Sequence, residues 1–183
     1  SPIVKEVIGK DAENVSLAWR FGNPNSEEIP LLIMADMILT NGYAGLVDLN
    51  INQKQRCLNA GSTPSMLHDY SYLLMYGSPK AGQIEKLANG DFPEWLLEAS
   101  INELRKREMS DIESNYGRAA MMEEAFYLDI PWKDKIAEFD VLSKITKQQI
   151  VDFAKKHLTK DNYVIVYEVV RSTRSSLYFT YIS

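Results

Sequence analysis

The stretch Val15-Ser16-Leu17-Ala18-Trp19-Arg20-Phe21 limits the fold more than any other. Its apolar residues recur at every second position. Val15, Leu17, Trp19 and Phe21 therefore share one face of an extended strand, and Ser16, Ala18 and Arg20 share the other. A strand with one apolar face needs neighbouring strands beside it and a second layer over that face. The rest of the chain has to supply both.

It does so in blocks. "GNPNSEE" breaks the strand and offers helix caps at Asn25 or Ser26. An apolar helix follows from Ile29 to Leu39, with Pro30 tolerated in its first turn. Asn41-Gly42 stops that helix, and Tyr43 to Gln53 reads as a second, shorter one. Arg56 to Ser65 and Met66 to Ser78 read as two strands, joined through the weak section "AGSTPS", and Gln83 to Ala88 as a helix. Asp91-Phe92-Pro93-Glu94 fits a capping box. The helix it opens carries the stripe Leu97, Ile101, Leu104 and runs to about Ser114, with a bend near Tyr116-Gly117 before Arg118 to Leu128 continues.

Thr146-Lys147-Gln148-Gln149 is a second capping box, with Ile145 and Ile150 at the positions of a hydrophobic staple. Ile150, Phe153, Ala154 and His157-Leu158 extend that face. Asn162 to Val170 returns to strand, with Val164 and Val166 on one face and Ile165 and Tyr167 on the other.

Strands cluster and helices cluster, which predicts an α+β fold: an antiparallel sheet with helices packed on one face. Residues 1–170 are expected to form one domain. The tail 171–183, "RSTRSSLYFTYIS", differs in composition; it adds a strand over Leu177 to Ile182 or is a disordered or non-native end. The opening "SPIVKEV" enters a structured pattern with neither an initiator Met nor a signal-peptide pattern. We therefore expect a piece of a longer protein whose targeting signal lies elsewhere.

Composition narrows the function. The 183 residues carry a net charge of −5 with both signs interspersed, which argues against a broad basic surface for nucleic acid. The single cysteine, Cys57, excludes an intrachain disulfide. No apolar run approaches the roughly 18 residues that span a bilayer; the stretch Leu31 to Leu39 is interrupted by Asp36.

Catalytic patterns are sparse. A protein zinc site takes three or four His, Cys or carboxylate ligands, often with two close together on one helix face. The two histidines, His68 and His157, are far apart, and neither has a second His or a Cys at ligand spacing. Only the fold could gather them with Cys57, which as a lone thiol is more commonly a small buried hydrophobe. There is no Gly-x-Ser-x-Gly elbow, no Gly-x-Gly-x-x-Gly and no P-loop. Glu94, Glu98, Glu103, Asp111, Glu113, Glu123 and Glu124 read as solvated helix faces, with local ion pairing in Glu103 to Glu108. Arg105 to Arg107 is too short a basic run for nucleic acid.

Trp19, Tyr70, Tyr72 and Tyr76 fall on strand patterns. They are core or sheet surface, or alternatively an aromatic wall for a peptide. In "MLHDYSYLLMYG", His68, Tyr70, Tyr72, Leu74 and Tyr76 alternate against Leu67, Asp69, Ser71, Leu73 and Met75. Read as one strand, this sends His68 and Asp69 to opposite sides of the sheet. No catalytic, cofactor-binding or metal-binding residue is expected in the chain.

From Val15 to Val170 the sequence resembles the non-catalytic, C-terminal-type domain of the inverted-zincin peptidases, the pitrilysin, insulinase and mitochondrial processing peptidase family. The resemblance lies in "VSLAWRFGNPNSEEIPLLIMADMILTNGYAGLVDLNI", similar to the family's first strand, helix, Gly-containing turn and second helix. It continues in "IEKLANGDFPEWLLEASINELRKREMSDIESNYGRAAMMEEAF", similar to its long helix pair, and in "IAEFDVLSKITKQQIVDFAKKHLTKDNYVIVYEV", similar to its closing segment. The family's His-x-x-Glu-His is absent, so no zinc ligand carries over. Asn41-Gly42-Tyr43-Ala44-Gly45-Leu46 departs from the family's Ser-Arg-Leu type turn. The Arg and Tyr with which the family's partner half binds substrate match neither Arg118 nor Tyr116 by motif.

The resemblance implies a LuxS/MPP-like metallohydrolase fold. It also implies a domain that helps form a proteolytic chamber around an unfolded peptide. Zinc would sit in the parent protein, and the partner would be a catalytic domain on the same or a companion chain. The alternatives are a catalytically dead member acting as an assembly or peptide-binding subunit, and an unrelated α+β domain with a small-molecule pocket.

Overall fold

The computed structural model describes residues 2–9, 13–57, 59–77, 82–159 and 161–170. Its strands are β1 (Ile3–Gly9), β2 (Asn14–Phe21), β3 (Gly61–Met66), β4 (Ser71–Gly77) and β5 (Val164–Val170). Its α-helices are α1 (Ile29–Leu39), α2 (Gly82–Asn89), α3 (Glu94–Glu113), α4 (Asn115–Tyr127), α5 (Trp132–Leu142) and α6 (Lys147–His157), with a π-helical turn over Asp48–Asn52. The expected tail strand, Leu177 to Ile182, lies outside the described residues.

The strands form one sheet in the order β1-β5-β2-β4-β3. Every pairing is antiparallel except the outermost, β1 with β5, which is parallel. The α+β class holds, and the sheet is mixed because of β1, which the sequence reading did not mark as a strand. Register explains which face is covered. Leu17 sits opposite Met75 on one side and Ile165 on the other, so their side chains share a face. Trp19, Phe21, Leu73, Met75 and Ile165, all of that parity, are buried, and helices cover them.

The central helix is α1. It is apolar nearly all round, as a helix enclosed by its neighbours must be. Leu32, Met34, Ala35, Ile38 and Leu39 have no exposed surface. Each large side chain so buried contributes about 1.5–3 kcal/mol. Asn25 and Ser26 do not cap α1. The N-cap is Glu28, which makes no side-chain cap bond and whose Oε1 instead accepts the Gly22 N–H at 2.7 Å.

The capping box at Thr146 is present in both its bonds, and the staple residues Ile145 and Ile150 are buried beside it. The expected box at Asp91 is not. Helix α3 starts at Glu94 behind Pro93, with no side-chain cap. Asp91 is instead part of the end of α2. Its N–H donates to Lys86 O at 2.8 Å, and the Gly90 N–H donates to Leu87 O at 3.1 Å. With Gly90 at φ +72°, this is a Schellman closure, which a residue with a side chain resists.

The bend between α3 and α4 falls at Ser114, whose hydroxyl accepts the Gly117 N–H at 2.7 Å. α4 is fastened to α5 by Lys135, which is 9% exposed and lies 2.8 Å from both Glu124 and Glu138. Burial alone would lower the Lys135 pKa, but the two carboxylates outweigh it and hold it above its ordinary value. On the surface of α3, Glu103 and Arg107 form the expected i,i+4 pair at 3.3 Å.

Candidate functional site

The residues first considered for chemistry do not converge. His68 and Asp69 lie in the turn between β3 and β4, not in a strand. The pleat therefore does not separate them: His68 Nδ1 is 2.9 Å from Asp69 Oδ1. The hydrogen bond and charge of Asp69 raise the His68 pKa. Both side chains are largely solvent-exposed, which makes them a surface ion pair.

His157 sits in the last turn of α6. Its ring stacks on Phe153 at 5.0 Å, and its Nε2 is 3.6 Å from Glu28 Oε2. This pair borders an open cleft of about 660 Å³ that also takes in Ser26, Asp152 and Lys156. Its geometric role is to tie the end of α6 to the start of α1. Cys57 is a free, half-buried thiol packed against the core. Among the described residues, no three His, Cys, Asp or Glu side chains gather as a metal site would require.

Two of the carboxylates are enclosed by the fold, Asp36 and Asp48. Asp48, 6% exposed, organises the loop after α1. Its Oδ2 accepts the N–H groups of Asn41 (3.0 Å), Gly42 (2.9 Å) and Gly45 (3.1 Å). Asn41 Oδ1 accepts those of Tyr43 and Ala44. Gly42, at φ +85°, lets the chain reverse around the carboxylate. The helix expected over Tyr43 to Gln53 is correspondingly shorter, because residues 41–45 are wrapped around Asp48.

Asp36 is a different case. It lies within α1, 9% exposed, and its Oδ1 has no hydrogen-bond partner. Burial pushes its carboxyl up to about 6, against the lowering effects of Ser62 and Arg107 and with a further push from Asp48. The sequence signal for it was present: one carboxylate inside an otherwise apolar helix.

The face of the sheet opposite the helices is the larger candidate surface. It presents Ser16, Ala18 and Arg20 from β2, Tyr72, Leu74 and Tyr76 from β4, and Val164 and Val166 from β5, paired across the register. These side chains are half-buried or exposed. At one end the Arg20 guanidinium lies 4.6 Å from the Tyr70 ring centroid, and Tyr70 lies 6.5 Å from Tyr72. The four aromatics thus divide. Trp19 is core, with its indole N–H donating to Thr159 O at 3.3 Å, while the tyrosines belong to the open side of the β3–β4 hairpin. Such a wall can stack against and hydrogen-bond a polypeptide; it holds no nucleophile or metal set.

No protein-family model matches the sequence, and no curated protein matches it either. Solved structures do. A protease from Helicobacter pylori superposes with a TM-score of 0.82 at 15% identity, covering 93% of this chain and 44% of that one. A peptidase M16 inactive domain from Pseudomonas fluorescens gives 0.75 at 14% identity, covering 96% and 45%. The fold is that of an M16-type peptidase domain. The inactive peptidase domain of a candidate zinc protease from Bordetella parapertussis gives 0.71 at 12% identity, covering 89% of this chain and 96% of that one. The chain thus spans under half of the first two proteins and nearly the whole of the third. The M16-type fold explains the arrangement of one sheet with helices on a single face. Among the described residues, no helix is long and apolar enough to cross a membrane.

Proposed function

We propose that residues 1–170 are a non-catalytic, chamber-forming domain of a zinc metallopeptidase that cleaves peptides or unfolded polypeptides. The observation that carries this reading is the likeness to inactive M16-type domains, in a sequence that has no His-x-x-Glu-His anywhere. Zinc and the general base belong to a catalytic domain on the same chain or a companion. This domain's part is a wall: the open sheet face, with Arg20, Tyr70, Tyr72 and Tyr76, contacts the substrate backbone and side chains without reaching the bond that is cut. No residue here serves as catalyst or ligand.

The test is reconstitution. The full reading frame should place a His-x-x-Glu-His domain on the same chain or in a companion gene. Mixing the separately produced catalytic domain with this chain should raise cleavage of an unstructured peptide at least tenfold, in proportion to complex formed. A catalytic domain that works equally well without it overturns the reading. A frame with no such domain points to an assembly subunit instead.

A further inference from the structure

The register gives the open sheet face a channel along β2. The residues that β2 presents there are Ser16, Ala18 and Arg20. Ser16 lies between Tyr76 and Val166, and Ala18 between Leu74 and Val164. Small side chains thus form a floor, and larger ones on β4 and β5 form two walls. The walls stand two strand spacings apart, roughly 10 Å. A helix with its side chains is about 10–12 Å across, too wide to reach that floor, whereas a single extended chain fits. β5 begins at Val164, opposite Ala18, so one wall ends there and the channel opens at Arg20.

Arg20 gives that opening its charge. The chain has 25 acidic residues against 20 basic ones, yet among the described residues no carboxylate forms an ion pair with Arg20. Asp69, next to Tyr70, is bonded to His68. Glu168 shares the face by register, but it lies opposite Asn14, roughly 20 Å along β2 from Arg20. The guanidinium rests instead on the Tyr70 ring, 4.6 Å from its centroid. A cation–π contact uses the charge and none of the N–H donors. The fork stays available to a planar carboxylate, which it can bind through two parallel hydrogen bonds.

We propose that this channel holds an extended peptide segment whose Asp or Glu side chain docks on Arg20. The assignment rests on the reading of this face as a substrate wall. Side chains on one face of an extended segment recur at every second residue, with the same spacing as those of β2 beneath it. Apolar residues two and four positions from the acidic one then lie over Ala18 and Ser16. The substrate class is an unstructured polypeptide with an acidic residue in that pattern.

Fluorescence anisotropy on the purified chain tests this with two short labelled peptides, both amidated at the C-terminus. One carries Glu with Val two and four positions away; the other has Gln in place of Glu. The Glu peptide should bind at least ~10-fold more tightly, and Arg20→Gln should abolish that difference. Arg20→Lys, which keeps the charge without the fork, should restore part of it. Ala18→Leu fills the floor and should weaken both peptides. Thermal melts matching the parent's identify each variant as folded. Equal binding of the two peptides to the parent overturns the carboxylate assignment and leaves the wall reading standing. Binding of neither overturns both. A preference for Glu that persists in a folded Arg20→Gln protein overturns the assignment, and so does one seen only when the C-terminal carboxylate is left free.

Discussion

Asp48→Ala is expected to destabilise the protein by about 4 kcal/mol, because it strips the shared acceptor from three backbone N–H groups inside the fold. Hydrogen bonds to charged groups contribute more than neutral ones, and donors left buried without a partner carry the full desolvation cost. For a chain of this length, such a loss lowers the melting temperature by roughly 8–16 °C. Asp48→Asn keeps one acceptor oxygen and should lose clearly less. Thermal and guanidinium melts of the three proteins measure this. An Asp48→Ala protein that melts within about 2 °C of the parent would show that the loop is held by other contacts.

Asp36 gives the opposite sign. Its pKa is raised by burial, from an ordinary carboxylate value of 3.8 to about 6. Between those two values the folded state keeps a proton that the unfolded chain has released. Stability is therefore greatest below about pH 4, falls as pH rises through about 6, and is level above that. A shift of about two pKa units corresponds to about 3 kcal/mol. Asp36→Asn, a neutral side chain of the same shape, should stabilise the protein at pH 7.5 by up to that amount, roughly 6–12 °C in melting temperature. The gain should vanish near pH 4. Melts of both proteins across pH 4 to 8 decide it: a difference that stays constant over that range contradicts a buried, proton-holding Asp36.

These two carboxylates also mark where the sequence was readable and where it was not. Val15 to Phe21, α1 and the Thr146 capping box were legible because each is specified by its own residues, through alternation, an apolar run between breakers, and reciprocal cap bonds. The β3–β4 hairpin was misplaced because Gly61 and Pro64 look like a turn. β3 is an edge strand, where Pro costs no ladder bond on its outer side, and the real turn uses Leu67 to Tyr70. That single slip moved His68 and Asp69 from opposite faces to bonded neighbours. Asp91 was misread because a Schellman closure of the preceding helix took its backbone N–H, a contact set by Lys86 and Gly90 rather than by the box pattern. The Asp36 and Asp48 environments depend on segments brought together only by folding, Ser62 from β3 and Arg107 from α3 among them. No local pattern carries that information. The same holds for the open sheet face: alternation identified the tyrosines, but only the register placed Tyr72 opposite Arg20, and only the real turn brought the Tyr70 ring to its guanidinium.

As the non-catalytic domain proposed above, this chain should do no metal chemistry of its own. Metal content and peptide cleavage, measured together on the purified 183-residue chain, test it most directly. The account predicts well under one zinc per chain after dialysis and no cleavage of an unstructured peptide above background, with or without added zinc. One tightly held zinc per chain, with peptide cleavage that disappears on chelation and returns with the metal, would contradict it.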